Sequence, residues 1–247
     1  MAEQQKQGRI LVVQNDVDKG LGRIAEAFAS TGVELDTRLV TSELPSLDGY
    51  VGVAVLPGLA DPVDDTAEVH RARGILAEAL DRGLPALGIC LGGQLLTQVL
   101  GGDVFACTQE LAYHELRSLP AAAADPLLHT APDRFLAFHA HAWAFRPPAG
   151  ATLLLETDVC AQAITVGDAW AMQFHPEISL AAADGLARGL RGDFSAIEPN
   201  TVDFFARGGV TADKLERDAR TADPSATAIA RSIAEGFAAR CLAVAAA

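Results

Sequence analysis

The chain predicts an α/β fold: a doubly wound, mostly parallel sheet, an antiparallel extension and a helical C-terminal tail. Three observations carry this. Over roughly residues 9–100, short apolar runs alternate with amphipathic stretches of helical period. Residues 103–174 instead show short strand-like runs separated by turn signals. Beyond Ser179 the pattern is helical.

In order, Arg9–Gln14 is an apolar first strand, and Gly20–Ser30 is helical, with Leu21, Ile24, Ala25 and Phe28 on one face and Gly32 as its stop. Val33–Val40 alternates as a strand, and Tyr50–Leu56 is a buried strand ending at Pro57-Gly58. Asp64–Arg82 is a long helix closed by Gly83; Ala86–Cys90 is a strand and Gly92–Leu100 its helix. This βαβαβα run makes a doubly wound, flavodoxin-like sheet with helices on both faces. Strands are then expected at 103–107, 112–119, 134–139, 152–158, 162–166 and 169–174, with Gly167-Asp168 as an antiparallel hairpin turn. The tail reads as helices at 180–190, 202–207, 211–220 and 224–246. Ile229, Ile233, Phe237 and Cys241 form a stripe that can pack on the core, cover a rim or make a homodimer face; core packing is the usual meaning of such a stripe.

Composition narrows the function classes. The chain has 247 residues, 50% hydrophobic, with net charge −13 from 19 basic and 32 acidic residues. That length supports a full core. No basic cluster tracks a phosphate backbone, so nucleic acid is not an expected partner. No run has the roughly 20 apolar residues of a membrane span. The polar start, Met1–Gly8, lacks a signal-peptide core, and a cytoplasmic location is expected. Four cysteines, Cys90, Cys107, Cys160 and Cys241, form no Cys-x-x-Cys pair. Cys107 and Cys160 fall in the strand-rich middle of the chain and read as small core residues.

The chemistry concentrates at Gly88-Ile-Cys-Leu-Gly-Gly-Gln94. A strand ends in a thiol flanked by glycines, and a helix follows at once. This is the geometry of a nucleophile elbow, whose tight turn needs small residues on both sides. A free thiol is mostly protonated at neutral pH, but a helix N-terminus and a nearby histidine favour the thiolate. His175, in Gln173-Phe-His-Pro-Glu177, stands at the end of an apolar strand that Pro176 terminates. Glu177 is spaced to orient it. Nucleophile, base and orienter are thereby available, each near the C-terminal edge where open α/β sheets bind ligands.

These two motifs resemble the class I, or triad, glutamine amidotransferases, in particular stand-alone proteins related to the amidotransferase domain of GMP synthase. The resemblance covers roughly residues 8–190, with 191–247 as a helical extension packed on the same domain. It includes Val55-Leu-Pro-Gly-Leu59, Asp125-Pro-Leu-Leu128 and Phe138-His-Ala-His-Ala-Trp-Ala-Phe145. It implies that Cys90 attacks the amide carbon of glutamine to form a γ-glutamyl thioester. His175 then carries the proton to the leaving ammonia, and Glu177 holds the tautomer. It further implies an oxyanion site from the Leu91 N–H with one near Gly58 or Leu59, a substrate contact from Gln94, and backbone contacts from Ala140-His141. The chain departs from the usual pattern in three places: Gly93 where histidine is common, a single Gly58 after Pro57, and His141-Ala142-Trp143 where His-Gly-Asp is common. Trp143 either packs in the core or faces the pocket, where it favours a bulky apolar group beside the scissile amide.

Three readings follow. One is a glutaminase subunit supplying ammonia to a separate synthase. The second is a stand-alone hydrolase of γ-glutamyl amides with a larger amine leaving group. The third is a non-catalytic binding or regulatory protein of the same fold. No cofactor is called for. His139 and His141 share a strand face that can ligate zinc, but neither His114 nor His129 is fixed as a third ligand, so no metal site is assigned.

Overall fold

The computed structural model describes residues 8–17 and 20–246; the polar stretch 1–7, on which the leader reading rests, lies outside them. Strands β1 (Gly8–Gln14), β2 (Val33–Leu39), β3 (Tyr50–Val55) and β4 (Ala86–Ile89) are parallel, in the spatial order β2-β1-β3-β4. β9 (Ala169–Met172) joins β4 in parallel. The sheet then continues antiparallel through β8 (Ala161–Val166), β7 (Thr152–Glu156), β5 (Asp103–Ser118) and β6 (Arg134–Arg146), giving nine strands in all. The α/β class and the antiparallel extension are as the sequence predicts.

Period-two alternation in β1 sorts its side chains to two faces. Ile10 and Val12 face a cluster with Ile24 and Phe28 of α1 (Gly22–Phe28) and with Ile233 and Phe237 of α6 (Ala212–Ala245). Leu11 and Val13 face Val69, Ile75 and Leu76 of α2 (Ala67–Asp81) and Leu95 and Leu96 of α3 (Leu91–Val99). A third cluster joins Leu111, Tyr113 and Phe138 to α4 (Leu180–Leu190), α5 (Pro199–Arg207) and the first half of α6. Two helices are capped at their N-termini: the Thr66 hydroxyl accepts from the Val69 N–H ahead of α2, and Ser179 does the same for Ala182 ahead of α4.

Three expectations are corrected. The strands expected at 103–107 and 112–119 are one 16-residue strand, β5. Its register against β6 jumps from Ala106↔Trp143 to Glu110↔His141, so the polar run 107–109 is a bulge rather than a break. β6 likewise runs on to Arg146. The helices expected at 211–220 and 224–246 are a single 34-residue α6 with Pro224 inside. Proline there withholds one helical hydrogen bond. Burial of Leu215, Ala219 and Ala222 before it, and of Ile229, Ile233 and Phe237 after it, holds the helix together. The Ile229–Cys241 stripe is buried against the sheet, so it is core and not a dimer face.

Candidate active site

The parallel strands deliver four loops to one edge: Asn15-Asp16 after β1, Pro57-Gly58 after β3, Cys90 after β4 and Gln173–Glu177 after β9. The loops are tied together. Asn15 Nδ2 donates to the Leu56 carbonyl at 2.6 Å, and the Leu59 N–H donates to the Asp16 carboxylate at 2.8 Å.

Cys90 sits at φ 52°, ψ −111°, a backbone conformation that L-residues rarely adopt. Its N–H donates to the Met172 carbonyl at 2.7 Å, and its carbonyl accepts from the Gln94 N–H at 2.9 Å. The flanking glycines are required by space. A Cβ on Gly88 would stand 2.3 Å from the Gly92 oxygen, and one on Gly92 would stand 2.0 Å from the Val55 oxygen. The elbow thus presses the start of α3 against β3 and β4. Leu91 is the first residue of α3, so its N–H has no acceptor within the helix. Gly58 lies alongside, a Cβ there falling 2.6 Å from Leu91 Cδ2.

His175 is fixed from three directions. Its N–H donates to the Phe138 carbonyl at 2.8 Å, its ring meets Phe138 edge-on at 6.0 Å, and its Nδ1 lies 2.6 Å from Glu177 Oε1. The Glu177 carbonyl in turn accepts from the Arg23 N–H at 3.1 Å, which ties the motif to α1. Cys90, His175 and Glu177 are all under 10% exposed. Burial, the largest single influence, pushes the Cys90 thiol up, but the charge and hydrogen bonding of His175 together with the charge of His141 outweigh it, and the net shift is downward. Burial pulls His175 down, while the Glu177 carboxylate and the Cys90 sulfur raise it, to about 10. The pair therefore favours thiolate and imidazolium over two neutral groups. His175 Nε2, the nitrogen not used by Glu177, is buried without a hydrogen-bond partner among the described residues. A low-lying thiolate at a helix N-terminus, a protonated imidazole and unshared N–H groups can together perform acyl transfer through a thioester.

The family model for glutamine amidotransferase class-I matches residues 16–186. The chain belongs to that family. Curated relatives include the glutamine-hydrolyzing GMP synthase subunit of Methanocaldococcus jannaschii, 29% identical over 116 residues (45% of this chain, 61% of that protein). The corresponding protein of Halobacterium salinarum is 36% identical over 111 residues (43% and 60%). The chain thus spans about 60% of the length of these relatives. A glutamine amidotransferase from Thermotoga maritima shares the fold of this chain with a TM-score of 0.81 at 21% identity, covering 94% of this chain and 98% of that one.

The other candidate residues are placed by contacts along β6 and α3. Gln94 is buried, and its Nε2 donates to the Trp143 carbonyl at 2.9 Å and to Gln173 Oε1 at 3.1 Å. Sequence reasoning misses Gln173, whose Nε2 lies 3.8 Å from Cys90 Sγ. A polar residue two before the histidine, at the end of an apolar strand, is the signal that marks it. Ala140 and His141 lie in β6 opposite Leu111 and Glu110. Trp143 is half-buried and lies outside the three core clusters.

Cys107 and Cys160, which the sequence reads as core residues, are half-buried members of a polar cluster, and Cys160 stands in the bend before β8 rather than in a strand. Cys107 Sγ is 3.8 Å from His141 Nδ1, and His141 Nε2 is 3.2 Å from Glu110 Oε2. Cys107 is drawn down to about 5, chiefly by hydrogen bonding with Cys160 and against its burial; Cys160 is pushed up by the same contact. The histidines offered as zinc ligands are separated in use. His114 turns onto the Leu111 backbone, His129 meets the Ser232 hydroxyl at 3.3 Å, and both ring nitrogens of His139 are buried without partners among the described residues.

Proposed function

We propose that this protein hydrolyses the γ-amide of glutamine through a Cys90 thioester. The observation that carries the reading is the pairing of a strained elbow thiol at φ 52° with the His175–Glu177 hydrogen bond of 2.6 Å. In the first step the Cys90 sulfur attacks the amide carbon. The C=O electron pair moves to oxygen, where the Leu91 N–H and a backbone N–H near Gly58 or Leu59 stabilise it. His175 then gives a proton to the departing nitrogen, ammonia leaves, and a γ-glutamyl thioester remains. Water, deprotonated by His175, hydrolyses the thioester to glutamate and frees the thiolate. Glu177 keeps the imidazole oriented throughout. In the present conformation the Leu59 N–H is held by Asp16, so the Gly58 side of that loop is the better second donor.

A separate ammonia-consuming synthase is the proposed partner. The M. jannaschii and H. salinarum relatives are subunits by name. Three exposed apolar side chains, Val17 (74%), Leu59 (76%) and Val63 (54%), lie on the loops after β1 and β3, at the edge that holds Cys90. Exposed apolar residues gathered at an active-site rim fit a protein contact.

A second reading, hydrolysis of γ-glutamyl amides of larger amines, is favoured by one observation. Trp143 is half-buried beside the elbow, its carbonyl bonded to Gln94, and it belongs to no core cluster. Assay of purified protein with glutamine and with γ-glutamyl alkylamides separates the two. Glutamine turnover lost in Cys90→Ala supports the first; turnover of the large amides alone, reduced by Trp143→Ala, supports the second. Wild-type turnover in Cys90→Ala would end both.

A further inference from the structure

Next to the catalytic edge, the antiparallel half of the sheet gathers a second set of chemically active side chains. The β5 bulge brings Cys107 and Glu110 beside His141 of β6, and the bend before β8 adds Thr157 and Cys160. Glu110 is 2% exposed, and its partners are Thr157, Cys160, Gln162 and His141, with no lysine or arginine among them. A carboxylate buried without a firmly bonded cation is costly. His141 comes close, but its Nε2 is buried and lacks hydrogen-bond alignment with any acceptor among the described residues.

The spacing of these atoms fits a metal ion. The donor atoms of Glu110, His141 and Cys160 all lie within 4.8 Å of one another. The Nε2–Oε2 edge is 3.2 Å and the Sγ–Oε2 edge is 3.7 Å. Tetrahedral zinc, with bonds of about 2.0–2.3 Å, sets such edges at about 3.3–3.7 Å. We propose that Glu110, His141 Nε2 and Cys160 Sγ bind one divalent transition-metal ion, and that zinc is the natural one. Thiolate, imidazole and carboxylate together suit zinc, whereas an oxygen-only set would suit magnesium or calcium.

The surrounding residues complete the site. With Nε2 on the metal, the His141 Nδ1–H donates toward Cys107 Sγ, 3.8 Å away, which orients the ring. Gln162 Nε2 reaches Glu110 Oε2 at 2.9 Å and Cys160 Sγ at 3.2 Å, so one neutral amide steadies both anionic ligands. Binding displaces the Cys160 thiol proton to solvent and leaves a fourth position open. The ion would link β5, β6 and the bend before β8, close to the wall of the proposed amide site. This inference goes beyond the proposed amidase reading and does not depend on it.

Cobalt(II) titration of the reduced, chelator-treated protein tests it. The expected result is one cobalt per chain with a thiolate-to-cobalt charge-transfer band, displaced by zinc, and a zinc-dependent rise in melting temperature. Cys160→Ser should remove the band, and His141→Gln and Glu110→Gln should lose stoichiometric uptake. Cys107→Ser should keep the band with affinity weakened about 10–100-fold. Cys90→Ser should bind as the wild type does. Failure of the wild-type protein to take up one ion, a band that survives Cys160→Ser, or one that disappears in Cys90→Ser overturns the proposal. So does a Cys107–Cys160 disulfide in the isolated protein that, once reduced, still leaves no metal uptake.

Discussion

The N–H of Cys90 donates to the carbonyl of Met172 at 2.7 Å. This bond extends the β4–β9 ladder one step past the Ile89↔Met172 pair, to the residue where β4 turns into the elbow. The two residues belong to segments 82 positions apart (172 − 90), and the bond fixes thiol and histidine relative to one another. Three residues beyond Met172, the chain has placed His175 against the Phe138 carbonyl. Mutual placement of the two groups therefore starts from paired strand ends, and the short loops that carry them are anchored to neighbouring strands.

The elbow glycines cannot accept a methyl group. Gly92→Ala would put a Cβ 2.0 Å from the Val55 carbonyl oxygen, and backbone cannot rotate away as a side chain can. Overpacking typically costs about 1–3 kcal/mol, and a backbone clash belongs at the upper end or beyond. Urea denaturation should show Gly92→Ala at least about 2 kcal/mol less stable than wild type, whereas Gly74→Ala, with open space at its Cβ position, should lie close to wild type.

Strain at Cys90 gives a second stability test. Its φ of 52° is unfavourable for any side chain bearing a Cβ, while glycine adopts it freely. Cys90→Gly should therefore melt higher than Cys90→Ala, by an amount corresponding to about 1 kcal/mol, although neither variant turns over substrate. Equal melting temperatures would mean that the turn is not strained.

The pH profile reports on Glu177. His175 is raised from 6.5 to about 10, with burial opposing and the Glu177 carboxylate as the largest raising influence. A raised value means that the charged form is favoured in the folded state. Its contribution to stability is full below about 6.5 and is lost as pH rises through about 10. Melting temperature should accordingly fall across that window more steeply in wild type than in His175→Gln. In Glu177→Gln the basic limb of kcat/KM should move to lower pH, with kcat reduced. An unmoved limb would show that the carboxylate does not tune the imidazole.

The core makes a simpler prediction. Phe237 is fully buried on α6 and meets Trp170 edge-on at 6.3 Å. Phe237→Ala should cost about 3–5 kcal/mol, read by denaturant titration, because it opens a cavity where α6 covers the sheet.

Legibility in the sequence follows locality. The elbow is readable because the geometry of a tight turn imposes Gly88 and Gly92 at fixed spacing around Cys90. The parallel half is readable because its inner strands β3 and β4 are buried at every position and its edge strand β2 alternates apolar and polar residues. β5 reads as two strands because Thr108, Gln109 and Glu110 look like a polar loop, and only pairing with β6 shows that the strand continues through a bulge. α6 reads as two helices because proline usually ends a helix, whereas here packing on both sides of Pro224 outweighs the lost hydrogen bond. The Glu110–His141–Cys160 cluster is invisible in the sequence because its members come from three segments joined only by tertiary contacts. Gln173 is masked by its more conspicuous neighbour, His175.

The proposed chemistry needs Cys90 as nucleophile and His175 as its partner. The most direct measurement is covalent labelling by an electrophilic glutamine analogue, read by peptide mass spectrometry. One adduct per chain is expected, on Cys90, formed at pH values below the ordinary thiol range, blocked by excess substrate and strongly slowed in His175→Gln. Labelling spread over Cys107 or Cys160 with Cys90 unmodified, or an unchanged rate in His175→Gln, would contradict it.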